Sequence, residues 1–180
     1  MTKFEDGIQL IDKTMRRLNV KYAFISGTAL GLCRDGKCIE YDSDIDFVVH
    51  IKDQPRLDGL EKELGVNVLS RMGKEVIGYG FGVDNQEWIE LDFLHNYKNT
   101  VWHAWQEGHE WRANVYPKRM WDNLEFIHAY GVKCPVFHPI EEYLELTYGK
   151  DWNIPNPHFT RDNINRITKT RRYNWDFKED

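Results

Sequence analysis

From Phe4 to Leu18 the apolar residues Phe4, Ile8, Ile11, Met15 and Leu18 recur every three or four positions, the stripe of one helix face. This predicts an amphipathic helix that ends near Asn19 and packs on the rest of the chain. The period then shortens. Tyr22 to Ser26 reads as a strand, Thr28 to Cys33 as a short helix, and Asp35-Gly36 as a turn. Asp44 to His50 follows as a second strand, broken at Gln54-Pro55 before a helix expected from Arg56 to Leu64. Asn67 to Arg71, Glu75 to Val83 and Glu87 to His95 read as three more strands, the last two joined at Asp84-Asn85. Val101 to Trp105 and Trp111 to Tyr116 form a further expected hairpin across Glu107-Gly108-His109. Near the C-terminus, Pro139 suits the first turn of a helix and Gly149 its end. Strands and helices interleave, so the expected class is α/β (α+β).

The strand from Asp44 to His50 carries the first sign of chemistry. Its period of two puts Asp44 and Asp46 on one face and Ile45, Phe47 and Val49 on the other. Two carboxylates side by side repel each other and prefer a counter-ion. A hard divalent cation such as Mg²⁺ takes oxygen ligands and is commonly held by one or two carboxylates plus substrate phosphates. The Asp-x-Asp strand is therefore half of a metal site. Upstream, the Gly27-Thr28 turn opens a helix, where small residues let backbone N–H groups approach a phosphate, and Arg34 and Lys37 add positive charge. In the later strand, Trp88, Glu90 and Asp92 alternate with Ile89, Leu91 and Phe93. Asp92 is the candidate third carboxylate, and Glu90, on the same face, is its rival.

Composition narrows the field. The chain has 180 residues, 41% hydrophobic and 29% charged, as expected for a folded globular protein with a substantial core. A formal net charge of −5 gives no attraction to nucleic acid or to an anionic membrane. The opening MTKFEDGIQL contains early acids and no apolar run, so it reads as neither a secretory signal nor an anchor, and cytoplasmic residence is the expectation. Cys33, Cys38 and Cys134 lack metal-ligand spacing and read as buried or unreactive thiols. Trp102, Trp105 and Trp111 can grip a quaternary ammonium or stack a sugar or base, but tryptophans also fill small cores. The basic tail with Arg161, Arg166, Lys169, Arg171 and Arg172 reads first as a solvated face.

Two blocks resemble a known family. Ser26-Gly27-Thr28, Leu30-Gly31, Arg34, the approach from Ile39 to Tyr41, and Asp44-Ile45-Asp46 resemble the signature of the LicD/fukutin phosphotransferases, within the DNA polymerase β-like nucleotidyltransferase superfamily. Tyr116-Pro117, Leu124-Glu125-Phe126, Val132, Pro135, Pro139 to Leu144, Tyr148 to Trp152 and Pro155 resemble that family's second block. The pattern departs at Ser43, where many members carry another acid.

The resemblance implies a nucleotidyltransferase-like mixed sheet flanked by helices, in one domain over residues 1–180 with its motifs between about 22 and 155. It further implies two divalent ions, Mg²⁺ or Mn²⁺, on Asp44, Asp46 and Asp92, and donor contacts from Ser26, Gly27, Thr28 and Arg34. The implied reaction moves a phosphoalcohol, such as phosphocholine, ribitol phosphate or glycerol phosphate, from a CDP-linked donor to a hydroxyl of a glycan or similar acceptor. Asp92 would also help deprotonate that hydroxyl. The alternative is transfer of a nucleoside monophosphate from an NTP to a small molecule or protein, using the same acids. The by-product separates them: CMP in the first case, pyrophosphate in the second.

Overall fold

A computed structural model of the chain describes residues 3–57, 67–72, 75–83, 86–107, 110–156 and 158–159. The elements are α1 (Lys3–Leu18), β1 (Tyr22–Phe24), α2 (Ser26–Asp35), β2 (Ile45–His50), a 3₁₀ helix (Ile51–Arg56), β3 (Asn67–Met72), β4 (Glu75–Val83), β5 (Gln86–Tyr97), β6 (Thr100–Glu107), β7 (Glu110–Pro117), α3 (Lys118–Asp122), β8 (Glu125–Ala129), β9 (Val132–Val136) and α4 (Ile140–Tyr148). Most of the helix expected over Arg56 to Leu64, the Asp84-Asn85 and Gly108-His109 turns, and the basic tail lie outside the described residues.

The strands form one mixed sheet in the order β3-β4-β5-β2-β1-β9-β8, with helices packed against it. The β2–β5 and β1–β9 pairs are parallel; β1–β2, β3–β4, β4–β5 and β8–β9 are antiparallel. A ribbon made of β6 and β7 branches from the far end of β5, where His95 pairs with Trp102. Strand β5 is thus shared, its first part paired with β2 and its last with β6.

The core follows the sequence pattern. Ile8, Ile11 and Met15 of α1 are buried against the sheet, and Phe4 and Leu18 complete the stripe at half burial. Asp12 lies on that face too, where an unpaired carboxylate would be costly. Arg16 Nε donates to both of its oxygens at 2.8 and 2.9 Å, and Tyr22 Oη donates to Oδ1 at 3.0 Å. The helix stops at Asn19, whose φ of 53° is the left-handed conformation asparagine tolerates, and Val20 N–H closes the turn onto Met15 C=O.

In β2 the odd positions Ile45, Phe47 and Val49 are essentially fully buried. On the opposite face Val48 is also buried while Asp46 is only half-buried, so that face opens at the start of the strand, where the acids stand. Boundaries around the acids differ from the sequence expectation. Strand β1 ends at Phe24 and α2 begins at Ser26: Ile25 N–H still bonds Asp46 C=O, but Ile25 C=O accepts Ala29 N–H as the first turn of the helix, and Ser26 N–H is taken by Tyr143 Oη. Strand β2 begins at Ile45, leaving Asp44 just before the ladder. Pro55 does not simply break the chain but lies within the 3₁₀ helix that follows β2.

Candidate active site

Strands β2 and β5, with Asp44 just before β2, bring four carboxylates to one side of the sheet. Because β2 and β5 run parallel, Asp46 stands directly opposite Glu90, and Asp92 stands one step further along, opposite Val48. One oxygen from each of Asp44, Asp46 and Glu90 lies within 4.8 Å of the others. Asp92 is outside that trio but close enough, with Asp44, Glu90 and Asp42, to act on Asp46 electrostatically. Burial first, and then these like charges, push the Asp46 carboxyl well above the usual carboxylate range. Among the described residues of the wall the cluster is short of positive charge.

These acids line a cavity of about 800 Å³, large enough for a nucleotide-sized ligand. Ser26 and Gly27 stand on its wall at the start of α2. Ser26 has a φ of 50°, costly for a residue with a side chain, and the bond from its N–H to Tyr143 Oη at 2.9 Å holds it there. Gly27 leaves room for a carboxylate: a Cβ there would lie 2.3 Å from Asp42 Oδ2 and would have to push that side chain aside. Thr28, expected among the donor contacts, turns its side chain to the strand instead. It is buried beneath β2, where its Oγ1 accepts the N–H of Asp46 at 2.9 Å, so its hydroxyl fixes the strand that carries the acids.

Arg34 is the sole arginine or lysine among the described residues of the wall, and its guanidinium is engaged by Asp35 through Nε at 3.0 Å and Nη2 at 2.7 Å. Trp105, Tyr148, Trp152 and Phe159 supply an aromatic side to the cavity. The expected tryptophan cluster is divided. Trp105 faces the cavity, whereas Trp102 is buried in a separate small core, stacked on His95 at 4.4 Å. The side chain of Trp111 lies outside the described residues.

Two wall residues went unnoticed in the sequence. His103 Nδ1 lies 2.8 Å from Asp92 Oδ2, and His103 Nε2 lies 3.2 Å from Asn114 Nδ2. His103 and Asn114 are directly paired across β6 and β7. Nothing local in either strand marks them. The cysteines behave as expected: Cys38 and Cys134 are buried, and burial pushes their thiols up to about 11 and about 12.

Comparison with known proteins gives this arrangement a family. Residues 19–138, two-thirds of the chain, match the family described as LicD/FKTN/FKRP, nucleotidyltransferase domain. The chain belongs to the LicD/FKTN/FKRP family. Within it, the chain is similar to the ribitol-5-phosphate transferase FKTN of Homo sapiens and of Mus musculus, 28% identical over 151 residues to each. Those residues are 82% of this chain and 32% of FKTN, so the chain spans about a third of the length of the curated relatives it matches. Among solved structures, the lincosamide antibiotic adenylyltransferase LnuA, in its lincomycin-bound crystal structure, shares the fold. The TM-score is 0.52 at 14% identity, covering 76% of this chain and 80% of LnuA. The nucleotidyltransferase-like fold with a mixed sheet flanked by helices, expected from the sequence motifs, is thus observed. The segment matched to the LicD/FKTN/FKRP domain includes the start of α2, all four carboxylates, His103 and Asn114; Tyr143, which holds Ser26, lies beyond it.

Proposed function

We propose that this chain is a divalent-cation-dependent transferase domain that moves a phosphoalcohol from a CDP-linked donor to a hydroxyl of a glycan or similar acceptor. The observation that carries the reading is the convergence of Asp44, Asp46 and Glu90 within 4.8 Å, beside Asp92, in a nucleotide-sized cavity. Family membership and the likeness to the ribitol-5-phosphate transferase FKTN support a phosphoalcohol as the group transferred.

The residues fit a hard divalent ion. Their donors are all carboxylate oxygens, Asp46 is crowded by like charge, and the arginine of the wall is engaged by Asp35. A cation held by Asp44, Asp46 and Glu90 would neutralise the donor's phosphoryl oxygens and polarise its phosphorus. Ser26 and Gly27 bring backbone to the cavity wall, against which the diphosphate would lie, and Arg34 offers its remaining guanidinium edge. The acceptor hydroxyl oxygen attacks the phosphorus that carries the alcohol. The bond from that phosphorus to the bridging oxygen breaks, and CMP leaves with the electron pair. Asp92, one strand step from the trio, takes the acceptor's proton. The aromatic side of the cavity offers a stacking surface to base or acceptor.

The test is product analysis. The chain is incubated with Mg²⁺ and CDP-ribitol, CDP-glycerol or CDP-choline, in parallel with NTPs, in the presence of a glycan acceptor. Release of CMP from a CDP-alcohol, abolished in Asp44→Asn, is the expected result. Release of pyrophosphate from an NTP alone overturns the phosphoalcohol reading in favour of nucleotidyl transfer.

A further inference from the structure

The acid cluster is backed by a polar relay that ends on Asp92. His103 is almost fully buried, with 3% of its side chain exposed, yet both ring nitrogens are engaged. Asn114, itself buried, presents its amide nitrogen to Nε2 at 3.2 Å. An amide nitrogen only donates, so Nε2 carries the lone pair. The proton of the neutral ring then sits on Nδ1 and is donated to Asp92 Oδ2 at 2.8 Å. The ring is further held by Tyr116, near-parallel at 11° with centroids 6.2 Å apart. Gly78 puts no side chain against the other oxygen: a Cβ there would lie 3.1 Å from Asp92 Oδ1.

We propose that His103, set by Asn114 in the Nδ1–H tautomer, is a positioning residue that fixes the Asp92 carboxylate, one oxygen tied and the other left for the acceptor hydroxyl. The inference rests on the reading of Asp92 as the proton acceptor, and it extends that reading to two residues in a different ribbon of the fold. His103 touches no reacting atom; it acts through Asp92. A bare packing role would not need a ring with both nitrogens bonded, and a hydrophobic residue would fill the same space. With Asp92 free to rotate, its oxygen reaches the acceptor in fewer encounters, and outer partners of this kind are worth about 10- to 100-fold in activity.

The test has two arms on the full chain. In the first, ¹⁵N-labelled histidine is observed by long-range ¹H–¹⁵N correlation, and His103 is assigned from the signal lost in His103→Gln. The expected result is a pyrrole-type Nδ1 and a pyridine-type Nε2 in the wild type. In Asp92→Ala the Nδ1–H form should persist, because Asn114 still donates to Nε2, and only in the double variant Asp92→Ala/Asn114→Ala should it give way to the Nε2–H form. A wild-type ring with its proton on Nε2, or one whose proton moves to Nε2 in Asp92→Ala alone, overturns the proposal, and this arm needs no substrate. In the second arm, turnover of CDP-ribitol with Mg²⁺ is compared across His103 variants. His103→Asn keeps a donor where Nδ1 was and should retain most of the activity. His103→Gln places its donor where Nε2 was and should fall about 10- to 100-fold in kcat, as should His103→Ala, with KM for the donor little changed. Equal losses in Asn and Gln variants would mark His103 as structural and overturn the proposal. Failure of the wild type to release CMP would instead count against the proposed reaction, leaving the tautomer arm to decide the role of His103.

Discussion

Replacing Asp46 by Asn separates folding from cation binding. At the bound set by the structure, 4.8 Å, two carboxylate charges repel by about 1 kcal/mol at the dielectric constant of water and about 3.5 kcal/mol at an effective value near 20. Asp46 faces both Asp44 and Glu90 at this range. In chelator-treated protein Asp46→Asn should therefore be more stable than wild type by about 1–3 kcal/mol. For a chain of this length that raises Tm by roughly 2–4 °C per kcal/mol. The pH dependence has a definite sign. Because the folded-state carboxyl is pushed up, the folded protein still holds this proton when the unfolded chain has released it, so wild-type stability falls as pH rises through that window. Below about pH 4 the carboxyl is protonated in both states, and the advantage of Asp46→Asn disappears. Saturating Mg²⁺ should reverse the order, since a ligand at 100 times its Kd stabilises by about 2.7 kcal/mol. Wild type would gain about 5–10 °C and Asp46→Asn little. Thermal melts at several pH values, with EDTA or Mg²⁺, give all four quantities. A variant less stable than wild type in EDTA, or one that responds to Mg²⁺ as wild type does, would refute this reasoning.

Three further substitutions probe the scaffold. His95 is pushed down to about 4, chiefly by burial and then by His50, so the unfolded chain binds this proton first as pH falls. Stability present above pH 6.5 should be lost between there and about 4, by about 3 kcal/mol at 1.36 kcal/mol per pH unit, and urea melts of His95→Phe should lack that slope. Tyr143→Phe removes the acceptor of Ser26 N–H, which should cost about 1–3 kcal/mol by chemical denaturation and reduce activity as the start of α2 relaxes. Gly78→Ala places a Cβ 2.7 Å from Leu91 O and 3.1 Å from Asp92 Oδ1. It should destabilise by about 1–3 kcal/mol in the same assay and depress turnover further, by displacing Asp92.

What the sequence reveals of this site depends on how local each feature is. The face shared by Asp44 and Asp46 is a property of one strand's period, and the start of α2 is marked by Gly27 beside it, so both are legible from a few residues. The opposition of Asp46 and Glu90 is different. It depends on the register between β2 and β5, strands separated by two others in the chain, and no local pattern encodes that register. Glu90 and Asp92 share a face, and the sequence motif drew attention to Asp92; the parallel register is what puts Glu90 across from Asp46. The role of Thr28 was hidden for a similar reason, since its hydroxyl is engaged by the backbone of a residue 18 positions away. His103 and Asn114 need two registers, β6 on β7 and β6 on β5, before they meet Asp92. The alternation of strands and helices, the stripe of α1 and the helix between Pro139 and Gly149 needed only the hydrophobic period and the terminal residues.

The account turns on whether Asp44, Asp46 and Glu90 together hold a divalent cation. The most direct measurement is the anomalous diffraction of Mn²⁺ in crystals of the chain grown with CDP. The predicted result is a peak bonded to oxygens of those three side chains and to the diphosphate, absent in Asp44→Asn. A peak elsewhere, or CDP bound in the cavity with no Mn²⁺ beside Asp46, would contradict it.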